Sequence, residues 1–210
     1  MKLYRTFFLL MLSLLARTAV ASPESDFWTW FQQNEDEIFN FEKNQEVVFD
    51  KLAARMQKVN PSLTFEFGPK EDGKREFVVS ADGIKKAFPS VEKLCAAAPQ
   101  LKKWKVIKFR QRREPFDMNY GGISVRAATV TVSIARDGPK AALTVLIPGY
   151  TESKRESYAG IAFLILDQAL GEYDVETRVG VIDVAAPSAR YGQVRTLADL
   201  PKAFDELLGH

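Results

Sequence analysis

The stretch "SPESDFWTWFQQNEDEIFNFEK", residues 22–43, places six aromatic side chains among six Asp and Glu residues. Ser22 can cap a helix, and Pro23 suits the first helical position. At helical spacing the apolar side chains share one broad face, which includes Phe27, Trp28 and Phe31. We therefore predict an N-terminal helix whose aromatic face covers a β-sheet. The alternative is a ligand-stacking site, but Trp28 and Trp30 are two residues apart and point to different sides of a helix.

The order of elements downstream of this helix repeats. A second amphipathic helix is predicted over residues 45–59, and a hairpin, a helix and a returning strand follow over residues 63–109. The same order recurs over residues 126–184, and a last helix follows it. These patterns predict an α+β fold with two ββαβ units, flanked by N-terminal helices and a C-terminal helix. Each unit would contribute to a mixed or antiparallel sheet with helices on one face. The residues leave open whether the units share one sheet.

Residues 1–21, "MKLYRTFFLLMLSLLARTAVA", have the pattern of a secretory signal peptide. Two basic residues precede a run of ten mostly apolar residues, and "AVA" supplies small residues before a cleavage site after Ala21. We expect a mature α+β domain over residues 22–210 that is periplasmic or secreted, with no stable membrane insertion after cleavage. Three of the 29 Lys and Arg residues and none of the 27 Asp and Glu residues lie in the signal, so the mature chain carries 26 basic and 27 acidic residues. This net charge of −1 argues against a nucleic-acid partner.

The chain lacks the residues that most catalytic mechanisms require. The single cysteine, Cys95, lies in an apolar helical pattern, and the single histidine is His210, the last residue. A nucleophile–histidine triad and a zinc ligand set are therefore not predicted. Glycine-rich phosphate loops and calcium-loop spacings are also absent from the sequence. We expect no metal and no cofactor, and we interpret Cys95 as a packed structural residue.

Carboxylates leave one enzymatic hypothesis open. Five aspartates fall at or near the ends of predicted elements, namely Asp82, Asp117, Asp167, Asp174 and Asp183. Two of them brought close together could act as an acid and base pair. This would give a carboxylate-based hydrolase acting on an envelope polymer.

The basic run "LKKWKVIKFRQRR", residues 101–113, is the strongest charge feature. Strand alternation would place Lys108 and Arg110 on the face of Trp104, with Lys105 opposite. One interpretation is a solvated edge strand whose charges oppose aggregation. The other is a site for a small anion or an acidic partner in the loop over residues 110–122, because arginine binds carboxylates and phosphates well. The candidate binding residues of that site are Arg110, Arg112, Arg113 and Tyr120.

Several phrases together resemble a family of uncharacterised bacterial proteins of unknown function. They are "FWTWFQQNE" at 27–35, "GKREFVVSADG" at 73–83, "AAPQLKKWKVIKFR" at 97–110 and "LGEYDVETRVG" at 170–180. The resemblance extends over residues 27–184 and implies a bacterial source. It implies no activity and no site residues.

The sequence favours an exported, non-enzymatic binding domain over an enzyme, because a complete core pattern coexists with few reactive side chains. The expected partner is a protein of the cell envelope. The carboxylate-based hydrolase and the small-anion binder are the alternative functions.

Overall fold

A computed structural model describes residues 22–191 and 193–209. The signal peptide predicted for residues 1–21 and the terminal His210 lie outside the described residues. The fold is α+β, as the sequence predicted, and it contains two ββαβ units in succession.

Three helices precede the first unit, which forms a three-stranded sheet. The helices are α1 (Pro23–Gln33), α2 (Glu35–Phe39) and α3 (Gln45–Gln57), and the unit consists of β1 (Thr64–Glu71), β2 (Lys74–Ser80), α4 (Phe88–Ala96) and β3 (Trp104–Lys108). The strand order is β1-β2-β3, in which β1 pairs antiparallel with β2 and β2 pairs parallel with β3. The sheet is therefore mixed, and β1 and β3 are its edge strands.

The second unit repeats this topology after a two-stranded ribbon. The elements from the ribbon onward are β4 (Met118–Tyr120), β5 (Ile123–Val125), β6 (Thr131–Asp137), β7 (Lys140–Leu146), α5 (Arg155–Leu170), α6 (Glu172–Arg178), β8 (Val179–Ala185), β9 (Arg195–Thr196) and α7 (Leu200–Leu208). The strand order is β8-β7-β6-β9. β6 and β7 are antiparallel while β7 and β8 are parallel, so β6, β7 and β8 correspond to β1, β2 and β3. The two units thus form separate sheets, which answers the question that the sequence left open.

The aromatic face of α1 covers the first sheet, as predicted. The ring of Phe27 stacks on Phe77 of β2 with centroids 6.2 Å apart, and the Phe31 ring lies 5.1 Å from that of Phe77. The indole Nε1 of Trp28 donates a hydrogen bond of 2.7 Å to the carbonyl oxygen of Leu94 in the last turn of α4. The carbonyls of a last helical turn have no partner within their helix, so this bond satisfies one of them and fixes α1 against α4.

Helix α5 is the central helix of the second core. It is apolar nearly all round, and its Ile161, Ile165 and Leu166 are fully buried among residues of the second sheet and α7. Within the described part of the chain, no helix has both the length and the apolar character needed to cross a membrane. Gly171 ends α5 with φ +81°, a conformation that side chains other than glycine adopt with strain. The chain therefore turns sharply from α5 into α6 at this glycine.

Replacing Trp28 with phenylalanine tests the link between α1 and α4. We expect Trp28→Phe to lower the free energy of unfolding by about 2 kcal/mol, because the Leu94 carbonyl then stays buried without its donor. Trp30→Phe is the matched control, since the Trp30 ring is partly exposed and stacks with Arg55. Urea denaturation of the two variants measures the difference, and equal midpoints would contradict this account of the helix packing.

Candidate functional site

The loop after β3 leaves the first sheet with an unusual backbone conformation. Phe109 has φ +60°, its N–H donates to the Val79 carbonyl at 2.9 Å, and its ring packs 4.5 Å from that of Phe88. The left-handed residue interrupts strand alternation, so that Phe109 enters the aromatic core and Arg110 turns away from it. The predicted placement of Arg110 on the face of Trp104 was therefore wrong. Its guanidinium meets Glu66, which lies on the opposite face of β1 from the core residues beside it.

Arg110 links the two units through carboxylates. Its Nε lies 2.5 Å from a carboxylate oxygen of Glu66, and its Nη2 lies 2.9 Å from Asp82. Its Nη1 lies 3.7 Å from Asp167 of α5 in the second unit. The side chains of Arg110 and Asp167 are only 14% and 11% exposed, so this pair is poorly screened by solvent, whereas the Asp82 side chain is 66% exposed. Arg110 acts first as a structural tie at the junction of the units.

Glu172 completes the junction from the second unit. Its side chain is fully buried at 0% exposure, and its carboxylate accepts hydrogen bonds from the backbone N–H groups of Ala81, Gly83 and Arg110 at 3.0, 3.3 and 3.2 Å. Its own N–H donates to the Arg110 carbonyl at 3.0 Å. A buried carboxylate is costly unless it is hydrogen-bonded, so these donors fix its position. A Cβ added at Gly171 would lie 3.2 Å from the Arg110 carbonyl oxygen, so the close approach of the two segments favours glycine there.

Arg112 is held by two aspartates of the second unit. Its Nη1 and Nη2 bind the two oxygens of Asp205 at 2.7 and 2.8 Å, and Nη2 also lies 2.6 Å from Asp174. The hydrogen bonds to Asp205 are the main cause of the raised pKa of Arg112. The guanidinium is thus already paired in the bidentate manner that an external carboxylate would use.

The remaining two predicted site residues lie apart from the cleft described below. Arg113 pairs with Glu66 at 3.3 Å, and its guanidinium lies 5.2 Å from the centre of the Phe116 ring. Tyr120 lies on β4 and packs against Gly160 of α5, where an added Cβ would come within 2.8 Å of its ring. Over the described residues, no hydrogen bond, ion pair or ring contact joins Tyr120 to any of the three arginines. The structure therefore brings the arginines to the junction but leaves Tyr120 elsewhere.

The buried carboxylates at the junction have perturbed acidities. Burial raises the pKa of Asp167 to about 7, the nearby Arg110 opposes this shift, and the carboxylates of Glu172, Glu176 and Asp82 reinforce it. Burial also raises the pKa of Glu176, and the charge of Glu172 adds to that effect. Asp167 is 8% exposed, so its charge is costly to maintain in the folded protein.

A cleft of about 440 Å³ opens where the two units meet. Residues 108–112 form one side, and Leu170, Gly171, Tyr173 and Asp174 at the turn from α5 to α6 form the other, with Glu92 of α4 at the rim. The Tyr173 ring lies 5.3 Å from Phe109, yet 47% of the residue is exposed. The cleft thus offers an exposed aromatic surface bordered by charged and amide side chains, a composition suited to binding.

Asp117 and Asp183 have structural partners and do not line this cleft. Asp117 accepts a hydrogen bond from the Ala127 N–H at 2.9 Å, and Asp183 pairs with Arg155 at 2.7 Å.

Burial raises the pKa of the Cys95 thiol to about 11, in keeping with a packed structural residue. Among the residues that the structure describes, no group of three or more His, Cys, Asp and Glu side chains is placed to hold a metal ion.

Sequence reasoning missed Glu172 and Tyr173, the two residues that do most to define this region. Both follow the helix-ending Gly171 directly. A charged residue and an aromatic residue immediately after a glycine stop indicate a sharp turn at a surface, which was the available signal. The partners of Glu172 are 62 to 91 positions away in the sequence, so nothing local indicated that its carboxylate would be buried.

Comparisons of the chain with protein-family models, with curated proteins and with solved structures found no match. The resemblance to a family of uncharacterised bacterial proteins stays a prediction. The site is therefore interpreted from its own geometry.

Glu172→Gln tests whether the carboxylate organises the junction. The amide keeps the size of the side chain but replaces one acceptor oxygen with a donor, which would face a backbone N–H. We expect the free energy of unfolding to fall by about 2–3 kcal/mol. Glu176→Gln, one helical turn away, is the matched control and should leave stability unchanged or slightly raised, because burial disfavours the Glu176 charge. Equal losses in both variants, measured by urea denaturation, would refute the assigned role of Glu172.

Asp167→Asn tests the acidity of the buried carboxyl. A folded-state pKa raised above the unfolded value means that Asp167 stabilises the fold when protonated. This contribution is complete below about pH 4 and is lost as the pH rises through about 7. Asparagine cannot ionise and so does not lose this contribution. We therefore expect the Tm of the variant, relative to that of the unsubstituted protein, to be higher at about pH 8 than at about pH 5.

The control for this pH series is Asp183→Asn, which removes an exposed carboxylate paired with Arg155. Its Tm profile should run parallel to that of the unsubstituted protein over the same pH range. A parallel profile for Asp167→Asn as well would show that the carboxyl titrates at an ordinary pKa.

Proposed function

We propose that the mature chain is an exported, non-enzymatic binding domain whose partner is a protein of the cell envelope, bound at the junction cleft. The observation that carries this proposal is the exposed Tyr173 ring in a cleft bordered by residues 108–112. Exposed tyrosines in concave, partly polar surroundings supply much of the binding energy at protein interfaces. The predicted basic segment contributes Arg110 and Arg112 to the same cleft.

A protein partner fits the cleft better than a small anion does. Arg110 and Arg112 already bind carboxylates of the chain itself, so a small anion would have to displace Glu66 or Asp205 to reach them. A polypeptide needs no such displacement, because it can pack on Tyr173 and use hydrogen bonds to exposed polar groups such as Gln111. The Arg110, Arg112, Arg113 and Tyr120 set of the small-anion hypothesis stays a prediction.

The carboxylate-based hydrolase is the second candidate function, and one observation favours it. Asp167, with a pKa raised to about 7, is suited to donate a proton near neutral pH, and Asp82 and Glu172 lie close to it. Burial weighs against this function, since Asp167 is 8% exposed and Glu172 is not exposed at all. A polymer would have to open the junction before it reached these carboxyl groups.

Photo-crosslinking in cells tests the binding proposal. A photoreactive phenylalanine derivative in place of Tyr173 should yield a discrete crosslinked adduct with an envelope protein. The control places the same derivative at Val47 of α3, an apolar residue of similar exposure at 42% that lies outside the cleft. Adducts of equal yield at both positions, or none at Tyr173, would refute binding at the cleft.

An activity assay tests the second candidate. The purified mature protein is incubated with peptidoglycan and other envelope polymers, and release of soluble fragments is measured. Fragment release that Asp167→Asn abolishes and Asp183→Asn preserves would establish the hydrolase and overturn the non-enzymatic proposal. No release from any polymer would leave the binding domain as the favoured function.

A further inference from the structure

We infer that the free edge of β3 binds an extended, acidic segment of the partner, which adds to the first sheet as a fourth strand and leads into the junction cleft. The inference rests on the proposed function and specifies the partner's conformation and charge. Three features carry it: the direction of the backbone groups of β3, the lysines along this strand, and the continuity of the edge with the cleft.

The hydrogen bonds of β3 show which backbone groups point outward. The Arg75 N–H donates to the Lys103 carbonyl, and the Phe109 N–H donates to the Val79 carbonyl, both at 2.9 Å. In a parallel pair, alternate residues face the neighbouring strand, so Lys105 and Ile107 also face β2. The N–H and C=O groups of Trp104, Val106 and Lys108 therefore point away from β2, toward the edge at which the described sheet has no further strand.

The outward edge ends at the cleft. The Lys108 carbonyl accepts a hydrogen bond of 2.7 Å from the Gln111 side chain, so this last carbonyl of the strand is already occupied. The outward groups before that point are both groups of Trp104, both groups of Val106 and the Lys108 N–H. These five groups can form up to five hydrogen bonds with one added strand, as in recognition by β-augmentation.

Lysines line this edge and select the charge of the added strand. Lys105 and Lys108 are 67% and 52% exposed, with carboxylates of Glu76 and Glu92 at 3.0 and 3.9 Å. Lys102 lies just before the strand and, within the described residues, takes part in no ion pair. Exposed ion pairs of this kind are weak and exchange readily. A second copy of β3 would bring lysines against lysines, whereas an acidic segment would be attracted.

The edge and the cleft form one continuous surface. Lys108 is both the last residue of β3 and part of the cleft wall, and the exposed Tyr173 lies across the cleft. A strand bound along the edge would carry its following residues over Tyr173. The fitting partner is thus a segment that combines carboxylates with an apolar or aromatic residue at one end.

Edge lysines also protect a sheet against unwanted pairing, and that role makes the opposite prediction. A purely protective edge rejects every added strand, while a binding edge accepts an acidic strand and rejects a basic one. Peptide binding therefore separates the two roles.

The test uses capped fluorescent peptides of about eight residues that alternate glutamate with valine and end in tyrosine, a length that covers the edge and the cleft mouth. Fluorescence anisotropy with the mature protein should show binding of this peptide and none of its lysine counterpart. Two further versions carry N-methyl groups on alternate amides. One version should lose affinity by about tenfold or more, because only one set of amides faces β3. Equal binding of both versions would refute strand addition without any change to the protein.

Protein variants provide the matched charge control. Lys108→Glu should weaken acidic-peptide binding by about tenfold at low salt. Lys202→Glu on α7 should leave binding unchanged, although Lys202 has an equally long ion pair with Glu206, at 3.9 Å. Equal effects of the two variants would attribute binding to net charge alone and overturn the inference.

The outcome is separable from that of the proposed function. If the acidic peptide fails to bind while crosslinking at Tyr173 still captures a partner, strand addition is refuted and the binding domain stands. Dimer formation that Val106→Pro abolishes, measured by light scattering, would assign the edge to a second copy of the chain and would also refute the inference.

Discussion

The hydrogen bonds of one buried carboxylate determine how the two units sit against each other. Glu172 belongs to the second unit, while the three N–H groups that it binds belong to the first unit and to the loop that leaves it. A fully buried charge tolerates little loss of its partners, so the relative position of the units is narrowly defined. Arg110 reinforces this arrangement by pairing with acidic side chains from both units. The cleft beside them is a consequence of the same docking.

The sequence predicted the units themselves well. Period-two alternation in β1 and β6 and the apolar stripes of α1, α3 and α4 depend on burial of local side chains, and local patterns report burial reliably. The aromatic face of α1 was interpreted correctly for the same reason. One of the two interpretations of the basic run was an edge strand, and β3 does lie at the edge of its sheet.

Local sequence patterns did not predict the side-chain contacts at the junction of the two units. Alternation assigned Arg110 to the wrong face because Phe109 adopts a left-handed conformation, which is rare for an aromatic residue and has no sequence signature. The burial of Glu172 depends on contacts 62 to 91 positions away. Tyr120 was grouped with the arginines by proximity in sequence, whereas the short ribbon of β4 and β5 carries it onto α5. Each error arose where tertiary docking, not local periodicity, decides the position of a side chain.

The repeated topology has a consequence for the order of assembly. The strands of each of the two larger sheets come from one part of the chain, so neither sheet contains a strand of the other unit. The turn over residues 80–83 is different, since the N–H groups of Ala81 and Gly83 donate to Glu172 of α6, whereas that of Asp82 donates to Ser80 within the turn. During synthesis the first sheet precedes that helix by many residues, so these two N–H groups have only water as an acceptor until Glu172 has been added to the chain. Docking of the second unit replaces the solvation of these two N–H groups with hydrogen bonds to Glu172.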